Sequence, residues 1–567
     1  IDRKALPAPH NQAALESEHV PPSTPIEEEV TNIWCEVLKA ERTGVHDNFF
    51  ALGGHSLLAT QVVSKLRKSF GVEVALRSIF EAPTPAKLSK VIEGLLRPEQ
   101  HVGMVEPITR VSRDGELPLS FAQQRLWFLD QLRPDSCAYN MPAVVRLRGQ
   151  LDVKALERSF TILVARHEGL RSFFPTNDGR AVQVIRDAEP VRLATMTLNG
   201  ASDVDELLRH EVQKPFDLAN GPVFRSRLIK LSEDEHLLVV VVHHIVADGL
   251  SLGVMMRELW RFYRADLEKR EAALPELPVQ NVDYAVWQRR RMQSDDLERQ
   301  LNYWLDELAG APRVLTLSTE KARPAVQSYE GATKKLYFSD ELAEAAKKLS
   351  RSEGVTLFML LLAVFKVLLF RYSGQADLVV GSPIAGRNVA ETEGVIGLFA
   401  NTLALRTNLS GNPTFQELLT RVRDMALRAY THQDVPFELL VDQLQPERNL
   451  SHNPLFQVMF ALQNPSRDTI DVPGLELSYL AIERETSKFD LTLSMIDSAN
   501  GLIGNLEYRT DLFDSETIDR MAGHFQALLE ALVADPTQRV GDVPLVSVAE
   551  QRQLLEEFND PQTDYSA

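Results

Sequence analysis

Two short stretches of this 567-residue chain carry residue types that could do chemistry. The first is Val242-His243-His244-Ile245-Val246-Ala247-Asp248-Gly249. An imidazole exchanges a proton near neutrality, and Asp248 supplies a charge partner a few residues on. Gly249 permits tight backbone geometry and close approach of a substrate, and amides beside it are candidates to stabilise an oxyanion. Adjacent histidines on a strand point to opposite faces and no third ligand follows, so no metal site is expected. The second stretch is Gly53-Gly54-His55-Ser56-Leu57-Leu58, a Gly-rich loop that opens a helix. A serine there either caps the helix or presents its hydroxyl to solvent. The amides and dipole of such a terminus favour an anion, so a phosphodiester on Ser56 would sit well. His55 reads as a loop or enzyme-contact residue.

The elements around these stretches divide the chain. Residues 1–25 lack periodicity and end in Pro21-Pro22-Ser23-Thr24-Pro25, a linker. Residues 26–96 repeat apolar residues at helical spacing: Ile26, Val30, Ile33 and Trp34, then Leu58, Val62, Leu66 and Phe70. A small helical domain is expected there. A polar linker covers roughly 97–116. From Leu117 to about Val548 strands alternate with amphipathic helices, as in a layered α/β domain. Ala143–Arg148 reads as a strand, and Asp152 as the N-cap of a helix that turns Val153, Leu156, Phe160, Leu163 and Val164 inward. The apolar run His236–Val246 fits a strand buried on both faces, with a helix from about Ser251. About 430 residues exceed one ordinary core, so two lobes are expected.

Composition bounds the function. Hydrophobic residues are 44% and charged residues 25%, the balance of a folded globular chain. The net charge of -18 disfavours nucleic acid and anionic membrane as partners. The longest apolar stretches, Leu357–Phe370 with Lys366 inside it and Leu237–Val242, are too short to span a bilayer. Two distant cysteines, Cys35 and Cys137, fit unpaired thiols in a reducing, cytoplasmic setting. The start Ile1-Asp2-Arg3-Lys4 has neither an apolar signal nor a Met and reads as a cut inside a larger protein.

Asp47-Asn48-Phe49-Phe50-Ala51-Leu52-Gly53-Gly54-His55-Ser56-Leu57 resembles the signature of peptidyl carrier proteins. That resemblance implies a four-helix bundle over 26–96 with 4′-phosphopantetheine on Ser56, loaded by a phosphopantetheinyl transferase. The His-His-x-x-x-Asp-Gly stretch is similar to that of condensation domains of nonribosomal peptide synthetases. Further stretches fit in order: Ser120-Phe121-Ala122-Gln123-Gln124-Arg125-Leu126-Trp127, Arg166-His167-Glu168-Gly169-Leu170-Arg171, Asp283-Tyr284-Ala285-Val286-Trp287, Gly381-Ser382-Pro383-Ile384-Ala385-Gly386-Arg387, Ile396-Gly397-Leu398-Phe399-Ala400-Asn401-Thr402 and His432-Gln433-Asp434-Val435-Pro436-Phe437-Glu438. Ser172 departs from the family's more usual Thr.

The resemblance implies two chloramphenicol-acetyltransferase-like lobes in a V, over 117–285 and 286–548, with the histidine loop midway along a tunnel. His244 would face the tunnel as base or orienting group, His243 and Asp248 would hold the loop, and Arg387 would pair with Asp248. The implied reaction joins a donor thioester to an acceptor amine, with this carrier as donor, an L-donor and L-acceptor, and an acceptor carrier downstream. An epimerization domain and an inactive recruitment platform share the fold and stand as alternatives. Residues 1–8 resemble the end of an adenylation domain, and 549–567, with Phe558-Asn559-Asp560, the opening of another. Such assemblies make antibiotics and siderophores.

Overall fold

The computed structural model describes residues 20–72, 74–96, 107–198, 204–292, 294–445, 449, 451–463, 471–480, 482, 485–498, 501–546, 550, 552 and 555. The side chains of Ser56 and Leu57, the expected adenylation tail over 1–8, and most of 549–567 lie outside the described residues.

Four helices form the N-terminal helical region: α1 (Pro25–Leu38), α2 (Ser56–Phe70), α3 (Arg77–Glu81) and α4 (Pro85–Leu95). Thr24 starts α1 by accepting the Glu27 amide at 3.1 Å, with Pro25 in the first turn, where its missing N–H costs nothing. Its buried stripe is Val30, Ile33, Trp34 and Val37, which meets Val62 and Leu66 of α2 in the bundle core. Gly71, at φ +64°, ends α2 in the left-handed conformation that favours glycine.

The first large sheet is built from β1 (Asn140–Gly149), β6 (Ala194–Thr197), β7 (Phe224–Lys230), β8 (Glu235–His243) and β13 (Leu475–Leu480), in the order β13-β1-β8-β7-β6. Between β1 and β6 lie four two-residue strands, β2 (Ser172–Phe173), β3 (Thr176–Asn177), β4 (Arg180–Ala181) and β5 (Val184–Ile185). The sheet carries α5 (Phe121–Leu132), α6 (Val153–Arg166), α7 (Val204–Gln213) and α8 (Gly249–Leu267). Asp152 caps α6 by accepting the Ala155 amide at 2.9 Å, as its sequence position predicts.

A second sheet combines β9 (Gly331–Tyr337), β10 (Asp377–Ile384), β11 (Asn401–Asn408), β12 (Val458–Gln463), β14 (Leu491–Ser498) and β15 (Gly501–Arg509), in the order β11-β10-β12-β14-β15-β9. Around it run α9 (Asn281–Arg291), α10 (Asp295–Leu308), α11 (Asp340–Ser352), α12 (Leu357–Ser373), α13 (Phe415–Thr431), α14 (Phe437–Leu444) and α15 (Ser515–Ala534). The apolar run that holds Lys366 is α12, buried along almost its whole length. Lys366 is wholly buried, its Nζ donating to Leu405 O and Thr407 Oγ1, each at 2.7 Å. Among the described residues no single helix is long and apolar enough to cross a membrane.

Two features differ from the sequence reading. A division at 285/286 falls inside α9, whose cap joins Gln280 and Asp283 and whose body continues to Arg291. The lobes also share chain, because β13 returns to the first sheet and pairs with β1 from Val144↔Leu480 to Gly149↔Leu475. Apolar alternation specifies a strand but not which sheet receives it.

The N-terminal helical region and the α/β region are packed together. Helix α3 lies against α13, and α2 against the short turn Ala390–Thr392. Burial holds the His55 imidazole down to about 4, opposed by Asp497 of β14. His55 is thus at the boundary between the two regions.

Candidate active site

Strand β8 ends at His243, paired with Asn140 of β1. The apolar run then continues as a turn of 3-10 helix, His244–Val246, rather than as strand. The two histidines therefore differ. His243 is buried, its Nδ1 accepts the Ile245 amide at 3.2 Å, and its ring meets Phe216 edge-on at 5.9 Å. Burial, with His244, Lys488 and Arg225 nearby, pushes it down to about 3. It is a neutral pin for the turn.

His244 is half-buried, and its amide donates to Tyr139 O at 2.9 Å. Its Nδ1 lies 2.7 Å from Ala247 O. A carbonyl only accepts, so Nδ1 carries the hydrogen and the lone pair of the neutral ring sits on Nε2. Burial first, and then the Lys488 ammonium, lower this histidine to about 4, against the pull of Ala247 O and Asp248. The ring is neutral at physiological pH. Nε2 makes no hydrogen bond to any described residue, so the group that can accept a proton is the one left available.

Asp248 is buried and caps α8: its Oδ1 accepts the Ser251 amide and Ser251 Oγ, each at 2.8 Å. The same oxygen lies 3.2 Å from Arg387 Nη2, and Oδ2 accepts the Phe399 amide at 3.1 Å. Arg387 also donates to Ser251 Oγ and Val395 O, each at 2.8 Å, and to Thr392 O, with its guanidinium 4.4 Å from the Phe399 ring centre. Ser251 Oγ also lies 2.8 Å from Gly397 O, so its one hydrogen is shared between that carbonyl and Asp248 Oδ1. The carboxylate thus ties the histidine turn to the loop 386–399 that follows β10. Gly386 makes this possible. Its φ is +61°, and a Cβ there would come within 1.9 Å of Phe399 O.

Gly249 departs from the sequence expectation. Its φ is not left-handed and a Cβ would meet nothing within 4 Å, so no tight backbone geometry requires glycine. As the exposed first residue of α8 it instead leaves open space at a helix N-terminus.

The remaining motifs act as supports. Gln123 Nε2 donates to Ile245 O at 3.1 Å and Asn281 Oδ1 at 3.0 Å, joining α5, the histidine turn and α9. His167 Nε2 lies 2.7 Å from Glu258 Oε2, and its Nδ1 accepts the Ile396 amide at 3.2 Å. Between these elements opens a cleft of about 710 Å³, its mouth included, lined by Ser120, Ala122, Tyr284, Trp287, Phe399, Ala400, Asn401 and Asp434 among others. His244 is not among the residues that line that cleft. Sequence reasoning quoted Gln123 within a family stretch without giving it a role, and missed Tyr139, Ser251 and Lys488 as members of the site. Of those three only Ser251 left a signal, at the capping distance of three residues from Asp248.

In the N-terminal helical region the N-cap of α2 is His55, which makes no side-chain cap bond, and Ser56 is the first helical residue. Ser56 is therefore not the cap. The preceding turn is forced by Gly53 at φ +90° and by Gly54, whose Cβ would strike the Phe49 ring at 2.4 Å. An uncapped helix start beside a serine fits a phosphodiester, because its free amides and positive dipole end face the anion.

The family model "Condensation domain" matches residues 113–555. The chain belongs to the condensation-domain family. A second model, "Phosphopantetheine attachment site", matches residues 28–92. The chain is thus a phosphopantetheine-bearing carrier region followed by a condensation domain, as in nonribosomal peptide synthetases. It is 50% identical over 569 residues to one of the linear gramicidin synthase proteins of Brevibacillus parabrevis, matching 99% of this chain and 7% of that protein. Malpinin synthetase of Mortierella alpina is 44% identical over 99% of this chain and 7% of its own length. The chain thus spans less than a tenth of either relative. Among solved structures, the X-domain from teicoplanin biosynthesis is 32% identical with a TM-score of 0.73, covering 78% of this chain and all of that one. The first condensation domain of the calcium-dependent antibiotic synthetase, 22% identical with a TM-score of 0.66, covers 77% of this chain and all of its own, and shares the fold.

Proposed function

We propose that this condensation domain forms an amide bond between an acyl thioester donor and an acceptor α-amine, with the attached carrier as the donor. The observation that carries the reading is the hydrogen bond from His244 Nδ1 to Ala247 O, which leaves Nε2 unprotonated. An amine that attacks a carbonyl must shed a proton, and Nε2 is placed to orient that N–H and accept it. The reference pKa of an α-amine is about 7.7–8.0, so much of it is nucleophilic unaided and positioning is the larger contribution, on the order of 7–11 kcal/mol. Proton acceptance adds typically about 10²–10⁴-fold. The first amides of α8, at Gly249 and Leu250, are donors suited to charge building on the carbonyl oxygen.

Ser56 is the proposed anchor of 4′-phosphopantetheine, whose thiol, when attached, holds the acyl group as a thioester. In this reading the carrier is 26–96 and the condensation domain 117–548, flanked by adenylation domains, with an acceptor carrier downstream and a phosphopantetheinyl transferase to modify Ser56. Ser120-Phe121-Ala122-Gln123 and Phe399-Ala400-Asn401-Thr402 support an L-donor and L-acceptor, and members of both stretches line the cleft. A second reading, a recruitment platform without turnover, is supported by the 32% identity to the X-domain, which has been solved in complex with OxyB. The His243-His244-Asp248 constellation speaks against it.

The test loads donor and acceptor carriers, mixes them with the chain and weighs the products. Ser56→Ala is expected to lose the phosphopantetheine mass. His244→Ala is expected to keep that mass and lose about 10²-fold or more in condensation rate. Dipeptide formation at the parental rate by His244→Ala would remove its assigned role.

A further inference from the structure

The histidine turn has a neighbour from the far side of the molecule. Lys488, on the connection from β13 to β14, places Nζ 4.3 Å from the centre of the Tyr139 ring. That ring stands 6.5 Å from the His243 ring and 6.4 Å from His244. The ammonium thus sits against a ring that neighbours both imidazoles, tilted 53° to His243 and 43° to His244, and the backbone of Tyr139 also holds His244.

The segment carrying the lysine is mounted with care. Lys488 O accepts from Gln327 Nε2 at 2.8 Å and Asn453 Nδ2 at 2.6 Å. The Ser487 amide donates to Tyr329 O at 2.9 Å, and Ser487 Oγ to Phe489 O at 2.7 Å. Two residues on, buried Asp490 is clamped by Arg323 and by wholly buried Arg509. A lysine that merely covered surface would need none of this, because a long flexible side chain finds water unaided. The mounting belongs to the second sheet and its loops, whereas Tyr139 and the histidines belong to the first.

We propose that Lys488 is a positioning residue of the condensation site: the second lobe presents its ammonium to the histidine turn, where it sets the charge environment that His244 and the acceptor amine share. The proposal rests on the reading of His244 as the partner of that amine. A fixed positive charge disfavours a second one nearby, so it opposes both the imidazolium of His244 and the ammonium of the substrate. Each group can take part in amide formation only when neutral. The groups that face His244 act in both directions. Asp248, at the start of α8, favours its protonation, and burial and Lys488 oppose it, while Arg225 and Lys488 act likewise on His243. Tyr139 stays neutral, its hydroxyl pushed up to about 12 by burial. Readiness of the base thereby depends on the two lobes being apposed.

The test measures single-turnover condensation and histidine titration from pH 3 to 9 with pre-loaded carriers, for the parent chain, Lys488→Met, Lys488→Gln and Lys488→Arg. In parallel, NMR of histidine-labelled chain follows the titration of the His244 ring, assigned with His244→Ala. Removing the ammonium makes protonation easier, so the acidic limb of the rate profile and the His244 midpoint should both move up by about one pH unit in the Met and Gln variants. Lys488→Arg keeps the charge and should keep the parental midpoint. A uniform loss of rate with the His244 midpoint unmoved in both neutral variants would overturn the proposal and leave Lys488 a packing role. Parental condensation by His244→Ala would instead overturn the reading of His244, and the NMR midpoint would still decide what Lys488 does.

Discussion

Arg387→Met tests the joint between the histidine turn and the loop 386–399. In the parent the guanidinium is buried and meets Asp248 Oδ1, Ser251 Oγ, Val395 O and Thr392 O, with Phe399 on its face. Methionine fills much of the volume but satisfies none of these acceptors. Removing one partner of a buried ion pair costs about 3–5 kcal/mol, because the remaining charge loses its compensation. Asp248 still receives the Ser251 and Phe399 amides and Ser251 Oγ, which places the expected loss near the lower end, about 3 kcal/mol. The assay is equilibrium urea unfolding followed by tryptophan fluorescence, with condensation rate measured on the same samples. Asp248→Asn removes the orphaned charge, so the double variant should be more stable than Arg387→Met by at least about 1 kcal/mol, a non-additivity expected of residues in contact. An Arg387→Met chain within about 0.5 kcal/mol of the parent, or a double variant that loses the full sum of the two single losses, would refute the reasoning.

Two further outcomes follow from the fold. Gly386→Ala combines a left-handed backbone with a Cβ 1.9 Å from Phe399 O, and is expected to cost roughly 2–5 kcal/mol and most of the condensation rate; Gly411→Ala, at φ +85° with open space around it, should cost only about 1–2 kcal/mol by the same urea assay. Burial lowers Lys366 to about 7, so between about pH 7 and 10.5 the unfolded chain binds the extra proton and stability rises with pH. Lys366→Met should flatten that slope in urea midpoints measured across the window, a change of up to about 5 kcal/mol over its full width.

The parts of the site that a local pattern specifies were legible in the sequence. His243 and His244 stand where a continuous apolar run breaks, and a strand end followed by a cap is a pattern of a few residues. The carrier helices were visible because Val30, Ile33, Trp34, Val62 and Leu66 repeat at one helical face. Arg387 was reached only through family resemblance, since 139 residues separate it from Asp248 and no spacing rule connects them. Gln123 was visible only as a member of the Ser120–Trp127 stretch, and Tyr139 and Lys488 carried no signal at all. Each matters through a tertiary contact, and a lone polar residue in a loop looks the same whether it faces water or an imidazole. The run Leu357–Phe370 showed Lys366 as an interruption but hid its reason, the two oxygens of β11 that receive it. Ser56 sat one position from its expected place because His55, a poor cap by type, occupies the boundary.

The return of β13 to the first sheet constrains how the enzyme moves. Six aligned residue pairs stitch it to β1, while its continuation through Lys488 into β14 is anchored in the other sheet. The halves are therefore fastened by a strap as well as by the covalent path through α9. Severing the chain at 285/286 therefore leaves one half without an edge strand and the other with a strand that has no sheet.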